Sequence, residues 1–592
     1  MTDVVETDVL IVGSGPAGSA AAMLLSTYGV PNIMVTKYSR LADTPRAHIT
    51  NQRTMEVLRD AGLEEQVVAL ATPQHLMGQT PFVSALNGEE LGRLHTWYTH
   101  PARQADHDLA SPTAMCDMPQ HLMEPVLAGA ATARGTHLRY DTEYLSLTQD
   151  DDGVTATVRD RLRGDEYRIR AKYLIGADGG RSRVAEDIGL PMVGRMGVAG
   201  SINIVFEADL TRYVAHRPST LYWVLQTGAD VGGIGMGLVR CVRPWHEWLI
   251  VWGYDIDGEP PDLTEAYARH IAHQLIGDDS VPVTIKSSSA WTVNHLYAER
   301  YQQGRVFCAG DAVHRHPPSN GLGSNTSIQD AYNLAWKLKL VLSGAAGPGL
   351  LESYSAERAP VGAQIVERAN RSIGETGRIF QALGLLSTED PEQMRANMDA
   401  RKLPGDGPEK QRQLLREAIA FKDYEFNTHG VELDQRYRSA AVVPDGTQPP
   451  ANPRDEELFH HPTTWPGAKV PHAWLGHGAE RISTLDLGGH GRFMLLTGIG
   501  GEAWVAAAAT LATALGVPLS AATIGPGAGY EDLYGDWARL REVGDTGCVL
   551  LRPDNYVAFR SPGLPADPEQ VLGAALHRVL GRDQGLGGSS AP

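Results

Sequence analysis

The feature that most constrains the chain lies at its start, "DVLIVGSGPAGSAAAMLLSTYGV". Asp8 to Val12 is a short apolar run suited to a central parallel strand. Gly13, Gly15 and Gly18 follow at G-x-G-x-x-G spacing. The first glycine permits a tight turn, the second lets the backbone approach a pyrophosphate, and the third allows close packing of helix on strand. Ala17 to Tyr28 is rich in Ala and Leu and stops before Gly29, as a helix does. Its N-terminus would offer free N–H groups and a positive dipole end to a phosphate. A strand, this spacing and a helix in that order define a dinucleotide-binding fold. One local mismatch stands in "NIMVTK": where such folds end the second strand on an acidic residue for the ribose, this chain has Thr36 and Lys37. A lysine cannot accept a hydroxyl's hydrogen bond. Either Thr36 serves or the ribose is held from elsewhere.

Two distant segments repeat the pattern of a strand ending at a ligand edge. "YLIGADGG" places Asp178, Gly179, Arg181 and Ser182 at the end of an apolar strand, the side of an open α/β sheet where ligands bind. "GRVFCAGDAVHRHPPSNGLGSNTSIQD", Gly304 to Asp330, spends about a dozen loop residues where a plain turn needs two to four. Asp311 supplies an acceptor for a sugar-chain hydroxyl. The Pro317 to Ser324 loop would lay its backbone along the ligand, and "NTSIQDAYNLAWKLKLVL" starts a helix aimed the same way. A helix N-terminus there would favour negative charge on a reduced ring. His314-x-His316 lacks a third ligand at suitable spacing, so no metal is expected.

Between these edges, "PRAHITNQRTMEVLRDAGLEEQ" leads into an amphipathic helix. Arg46 before it is either solvated or a phosphate or flavin contact. His48 is either a satisfied structural histidine or a functional one. "MPQHLMEPVLAGAA" reads as a helix holding Gln120. From about Gly200 to Trp291, runs such as "INIVFEADL", "STLYWVLQTG", "GGIGMGLV" and "EWLIVWGYD" form an antiparallel sheet with one aromatic face. Most of its rings pack as core; Tyr222 and Trp223 are the candidates for a ligand wall.

The remaining properties narrow the class. At 592 residues the chain allows about three to four domains. A net charge of −18 argues against nucleic acid or an anionic membrane as the main partner. No apolar run is long enough to span a bilayer. The acidic start "MTDVVETDVL" enters a strand directly, so no signal or transit peptide is expected. Cys116, Cys241, Cys308 and Cys548 form no C-x-x-C pair, and a cytoplasmic location fits them best.

Three motifs in order, Gly13-Gly15-Gly18, "GADGGRSRV" and "GRVFCAGDAVHRHPPSNGLGSNTSIQDAYNLAWKL", resemble the single-component FAD-dependent aromatic hydroxylases of the p-hydroxybenzoate hydroxylase fold. "PRAHITNQRTMEVLRDAGLEE" and "HPPSNGLGSNTSIQDAYNLAWKL" are most similar to the phenol and 2,4-dichlorophenol monooxygenase type. The resemblance implies an α/β architecture: a Rossmann-like FAD-binding domain, an interleaved antiparallel-sheet substrate domain and a thioredoxin-like C-terminal domain. Residues 1–80, 111–190 and 293–400 would form the first, the last part with a helical extension. Residues 81–110 and 191–292 would form the second. Residues 401–450 would be linker and helices, and 451–592 the third.

The resemblance also implies roles. Gly13, Gly15 and Gly18 hold the FAD pyrophosphate, Arg46 and Gln120 contact FAD, and Asp311 binds the ribityl chain. The Pro318 to Asn325 loop, with Gly321, Gly323 and Ser324, lies against the isoalloxazine. Asp178 belongs to a motif linked to both FAD and NAD(P)H. His48 falls where an active-site residue accepts a phenol proton. The implied reaction is hydroxylation of a phenolic ring, ortho to the hydroxyl, by O2 and NADPH or NADH through a C4a-hydroperoxyflavin. The nicotinamide would bind transiently, since no second G-x-G-x-x-G is present. The substrate is a simple phenol or a larger polyketide-type polyphenol. An NAD-dependent dehydrogenase leaves Asp178 and Asp311 unexplained; a flavin-binding redox sensor remains the non-enzymatic alternative. A homodimer or higher homo-oligomer is expected. The C-terminal domain has no C-x-x-C, so packing or dimerisation is its expected use, and the tail "GLGGSSAP" reads as disordered.

Overall fold

The computed structural model describes residues 4–227 and 236–582. Part of the expected strand "GGIGMGLV" and the whole tail "GLGGSSAP" lie outside the described residues.

The first sheet runs Gln302–Gln303, Val306–Cys308, Glu166–Gly176, Val4–Val12, Asn32–Val35, His137–Arg139. Its central strands pair parallel, with Val12 opposite Gly176 and Gly176 opposite Cys308. The apolar run Val9–Val12 is buried on both faces, as a parallel sheet requires. Helices Pro16–Thr27 and Gly323–Leu342 pack on it. A hairpin of Thr142–Gln149 and Val154–Asp160 extends one strand, antiparallel.

The second sheet is almost wholly antiparallel: His314–Arg315, Thr284–Ala298, Met192–Glu207, Glu247–Tyr254, Met236–Arg243, Leu221–Leu225, Gln79–Val83, Glu90–His95. One face packs on helix Glu265–Ile276 through Tyr222, Val224, Trp248 and Ile250. The other carries Leu221, Trp223 and Leu225 and packs with Phe82, Ile49 and helices Gly377–Leu383 and Asp406–Phe421. Part of the 401–450 stretch is therefore a layer over this sheet: Leu415, Ala418 and Ile419 are buried in it. Residues 442–457 have no helix or strand.

The C-terminal sheet has the order Leu519–Thr523, Phe493–Thr497, Cys548–Leu551, Val557–Ser561. The first pair is parallel and the rest antiparallel, with helices Glu502–Leu515 and Pro568–Val579 alongside. This is the thioredoxin-like arrangement. Cys548 is fully buried, and burial pushes its thiol well up. Trp336 and Leu340 of the first domain share the core of this one.

Candidate active site

Register brings the three sequence-distant edges side by side. Gly13, Asp178 and Asp311 follow the paired ends of three adjacent strands, and Ala17, Ala177 and Ala309 pack together beneath them. Gly13 has φ +107°, and a Cβ there would stand 2.1 Å from the Ala177 carbonyl oxygen. A Cβ on Gly18 would stand 2.0 Å from Gly13 O, whereas Gly15 has no atom within 4 Å of that position. Two glycines thus close the turn and the third leaves open space, beside a helix N-terminus with no side-chain cap. This is the cradle a pyrophosphate needs. Thr36 is buried just beyond the second strand, and Lys37 is exposed.

Asp311 is exposed, on a turn fixed from below: the Gly310 N–H donates to Asp330 Oδ2 at 3.0 Å. Asp330 also bonds His314 Nε2 at 2.9 Å and Arg358 Nε at 2.7 Å, all fully buried. Asp178 stands at the same edge, but its carboxylate accepts from Ser182 Oγ at 2.5 Å, Arg183 N at 2.8 Å and Val184 N at 3.2 Å. It takes the first two N–H groups of the short helix Arg183–Asp187, whose N-cap is Ser182.

The Pro318 loop is shorter than the sequence suggests. Pro318 is exposed, Ser319–Gly321 form a single turn, and the long helix begins at Gly323. Ser324 and Asn325 therefore stand in its first turn, where main-chain N–H groups have no internal acceptor. The Asn325 side chain is spent on structure: Nδ2 donates to Ile49 O at 2.8 Å and Gly321 O at 2.6 Å, and Oδ1 accepts from Asn51 N at 3.0 Å. Only its main chain remains for a ligand. Arg46 is exposed and free of hydrogen bonds among the described residues. Gln120 lies beside it in space, its N–H bonded to Ala47 O at 2.8 Å, but its side chain donates to Glu124 at 2.6 Å. Burial lifts the Glu124 carboxyl.

His48 is held by a two-residue pairing of Ile49–Thr50 with Cys116–Asp117. The Met118 N–H donates to His48 O at 2.7 Å, and His48 Nδ1 lies 3.2 Å from Asp117 Oδ1. The other Asp117 oxygen pairs with Arg240, from the antiparallel sheet. A carboxylate at Nδ1 fixes the proton there, so Nε2 is the acceptor. That Nε2 is buried and unpartnered among the described residues. Burial, then the Arg240 charge, lowers the His48 pKa to about 4, against the pull of Asp117. Burial raises the Asp117 carboxyl, but Arg240 and His48 outweigh it and hold it below its usual range.

The ligand-wall assignment needs one correction. Tyr222 is fully buried in the core under helix Glu265–Ile276, its hydroxyl donating to Arg217 O and accepting from Ser219 N, each at 3.0 Å. Adjacent strand residues face opposite ways, so Tyr222 and Trp223 cannot line one pocket. Trp223 has the face shared with Arg240, since Leu221 pairs with Arg240 and Trp223 with Leu238. Sequence reasoning missed Asp117 and Arg240. The alternation of "LVRCVR" around Arg240 was the one available signal.

Fold and edge together define a flavoprotein whose site faces an aromatic-lined sheet, and comparison agrees. A family model for the FAD binding domain matches residues 6–369, and one for the aromatic-ring hydroxylase C-terminal domain matches 463–583. The chain belongs to the FAD-dependent aromatic-ring hydroxylases. It is 58% identical to 2,4-dichlorophenol 6-monooxygenase of Delftia acidovorans over 98% of each chain. It is 52% identical to phenol 2-monooxygenase of Pseudomonas sp. (strain EST1001), over 96% of this chain and 92% of that one. The structure of the flavin-dependent monooxygenase PieE in complex with FAD and substrate superposes with a TM-score of 0.93 at 46% identity, covering 98% and 99% of the two chains. The protein is an FAD-dependent monooxygenase, with O2 and a reduced nicotinamide as co-substrates.

Proposed function

We propose that this chain hydroxylates a simple or halogenated phenol ortho to its hydroxyl, with His48 as the group that receives the phenolic proton. The observation that carries the reading is the buried Nε2, unpartnered among the described residues, of an imidazole fixed by Asp117. Gly13–Gly18, Asp311 and the Gly323–Asn325 main-chain N–H groups would hold FAD, which with O2 and NAD(P)H would supply the oxygen-transfer chemistry. The protein's own work is to position, to exclude water and to move one proton. A phenol O–H donates to Nε2, and as it ionises Asp117 stabilises the imidazolium, the logic by which a buried aspartate supports histidine elsewhere. Ionisation makes the ring more nucleophilic toward the incoming oxygen.

The identities above support a phenolic substrate; polyketide hydroxylases are more distant relatives. No described helix is long and apolar enough to cross a membrane. A cytoplasmic homo-oligomer fits this reading, and gel filtration of the native protein tests the second part.

The test is one assay. Purified yellow holoenzyme is given NADH or NADPH with a panel of phenols, and products are analysed for added oxygen. His48→Ala should lower hydroxylation by about 10²-fold or more, the usual range for general-base loss, with FAD still bound. Unchanged turnover in that variant would remove His48 from the mechanism. A panel that neither stimulates oxidation nor gains oxygen would overturn the phenol reading.

A further inference from the structure

Two tryptophans of the apolar cluster that includes Ile49 have buried indole N–H groups with no acceptor among the described residues. Trp97 is 4% exposed and Trp223 3%, and both Nε1 atoms lack a partner among the described residues. An indole nitrogen is a donor only, and a buried donor left bare is rare in folded proteins. Both rings meet Phe426 nearly edge-on, at 5.2 Å and 82° for Trp97 and 6.4 Å and 78° for Trp223. They form one aromatic wall. It shares an apolar cluster with Ile49 and Met115, the neighbours of His48 and Cys116 in the chain. Trp223 also lies diagonal to Arg240 on the same sheet face. Lys422 Nζ lies 4.8 Å from the Trp223 ring centroid and is satisfied by Ser372 O and Thr376 Oγ1.

The backbone aims Trp97 at a cost. Trp97 and Tyr98 are consecutive non-glycine residues at φ +57° and +60°. Such strain persists only where the surroundings over-determine it. Here Gln74 Nε2 donates to Trp97 O at 2.8 Å, and Asn427 accepts from Tyr98 N at 2.8 Å and donates to His95 O at 2.9 Å. The fold therefore fixes an indole whose one polar atom has no partner among the described residues.

We propose that the Trp97 and Trp223 N–H groups are a second anchor for the substrate. They select phenols bearing a hydrogen-bond acceptor, a halogen, nitro or carbonyl group, away from the reacting hydroxyl. The inference rests on the phenol reading above: His48 reads the hydroxyl, and the two indoles read the far substituent.

The test is binding to oxidised holoenzyme, followed by perturbation of the flavin spectrum. Chlorophenols and methylphenols substituted at the same ring position are nearly equal in size, so each pair isolates the acceptor from its volume. Hydroxyacetophenone against isopropylphenol gives a stronger acceptor of similar bulk. Chlorine also acidifies the hydroxyl, so the decisive quantity is how the preference changes when an indole N–H is removed. Trp97→Phe and Trp223→Phe keep a ring and lose the donor. In at least one of them the acceptor-over-alkyl preference should fall by about five-fold, the size of one net hydrogen bond. A preference unchanged in both variants, at every ring position, means that solvent satisfies the indoles and overturns the proposal. Should Trp97→Phe fail to fold, Trp223→Phe decides alone. If no phenol perturbs the flavin or is turned over, the phenol reading itself fails and this one with it.

Discussion

At neutral pH His48 carries no charge, because burial and Arg240 hold its pKa near 4. The proton-accepting form is the neutral one, so this group limits activity only as pH falls through about 4. Replacing Arg240 with Met removes a charge that lowers the pKa. The acid limb of kcat/KM should then move to higher pH, toward the ordinary histidine value. A limb that stays in place would show that burial alone sets His48. The sequence made His48 visible through its family position, but not its partners. Asp117 and Arg240 lie 69 and 192 positions further along the chain, and nothing local distinguishes an aspartate in "MCDMP" from a solvated one. Tyr222 and Trp223 could not both have been right, since a strand of period two sends neighbours to opposite faces.

Among the elements, the glycine turns were the most legible, because their demands are steric and local. Gly13→Ala adds a Cβ 2.1 Å from Ala177 O at φ +107°. The turn must open, and FAD affinity should fall by at least ten-fold, measured as flavin retained after dialysis; retention at the level of the unaltered protein would show that the turn relaxes freely. The helix after Pro318 was less legible. Its start at Gly323 is set by Asn325, whose amide joins this helix to Ile49 and Asn51, more than 270 residues earlier. A contact of that range leaves no trace in local propensity. The Asp178 carboxylate illustrates the same limit: it stands at the end of its strand, and its oxygens are taken by Ser182 and by the first two N–H groups of the helix that follows.

Across the whole molecule, buried ion pairs bind the thioredoxin-like domain to the nucleotide-binding one. Arg552 grips Glu357 through two bonds of 2.6 and 2.9 Å, with Lys337 at 2.8 Å from the same carboxylate. Arg53 Nη2 donates to Asp554 O at 2.7 Å, and Lys469 reaches Glu56 at 3.0 Å. Removing one member of a buried pair leaves the other charged and unpaired. Arg552→Met should destabilise the protein by about 3–5 kcal/mol, seen as a lower thermal midpoint, and adding Glu357→Gln should recover part of it. Equal midpoints for Arg552→Met and the unaltered protein would mean that Lys337 suffices. The sequence disclosed the domain's order of strands and helices through composition and turns. It did not disclose this docking, because Arg552 and Glu357 gain meaning only when brought together.

That docking also joins the first-made motifs to the last-made residues. The turn under Asp311 rests on Asp330, which rests on Arg358; Arg358 bonds the Tyr437 hydroxyl at 2.9 Å, and Tyr437 stacks on Tyr556 at 4.1 Å. A ribosome makes Gly13 and Gly310 long before Arg552 and Tyr556. Until those last residues emerge, Glu357 and Lys337 lack the arginine that completes their network. A chain cut short before residue 552 would carry the glycine and aspartate motifs without Arg552 beside Glu357 and without the Tyr556 ring under Tyr437.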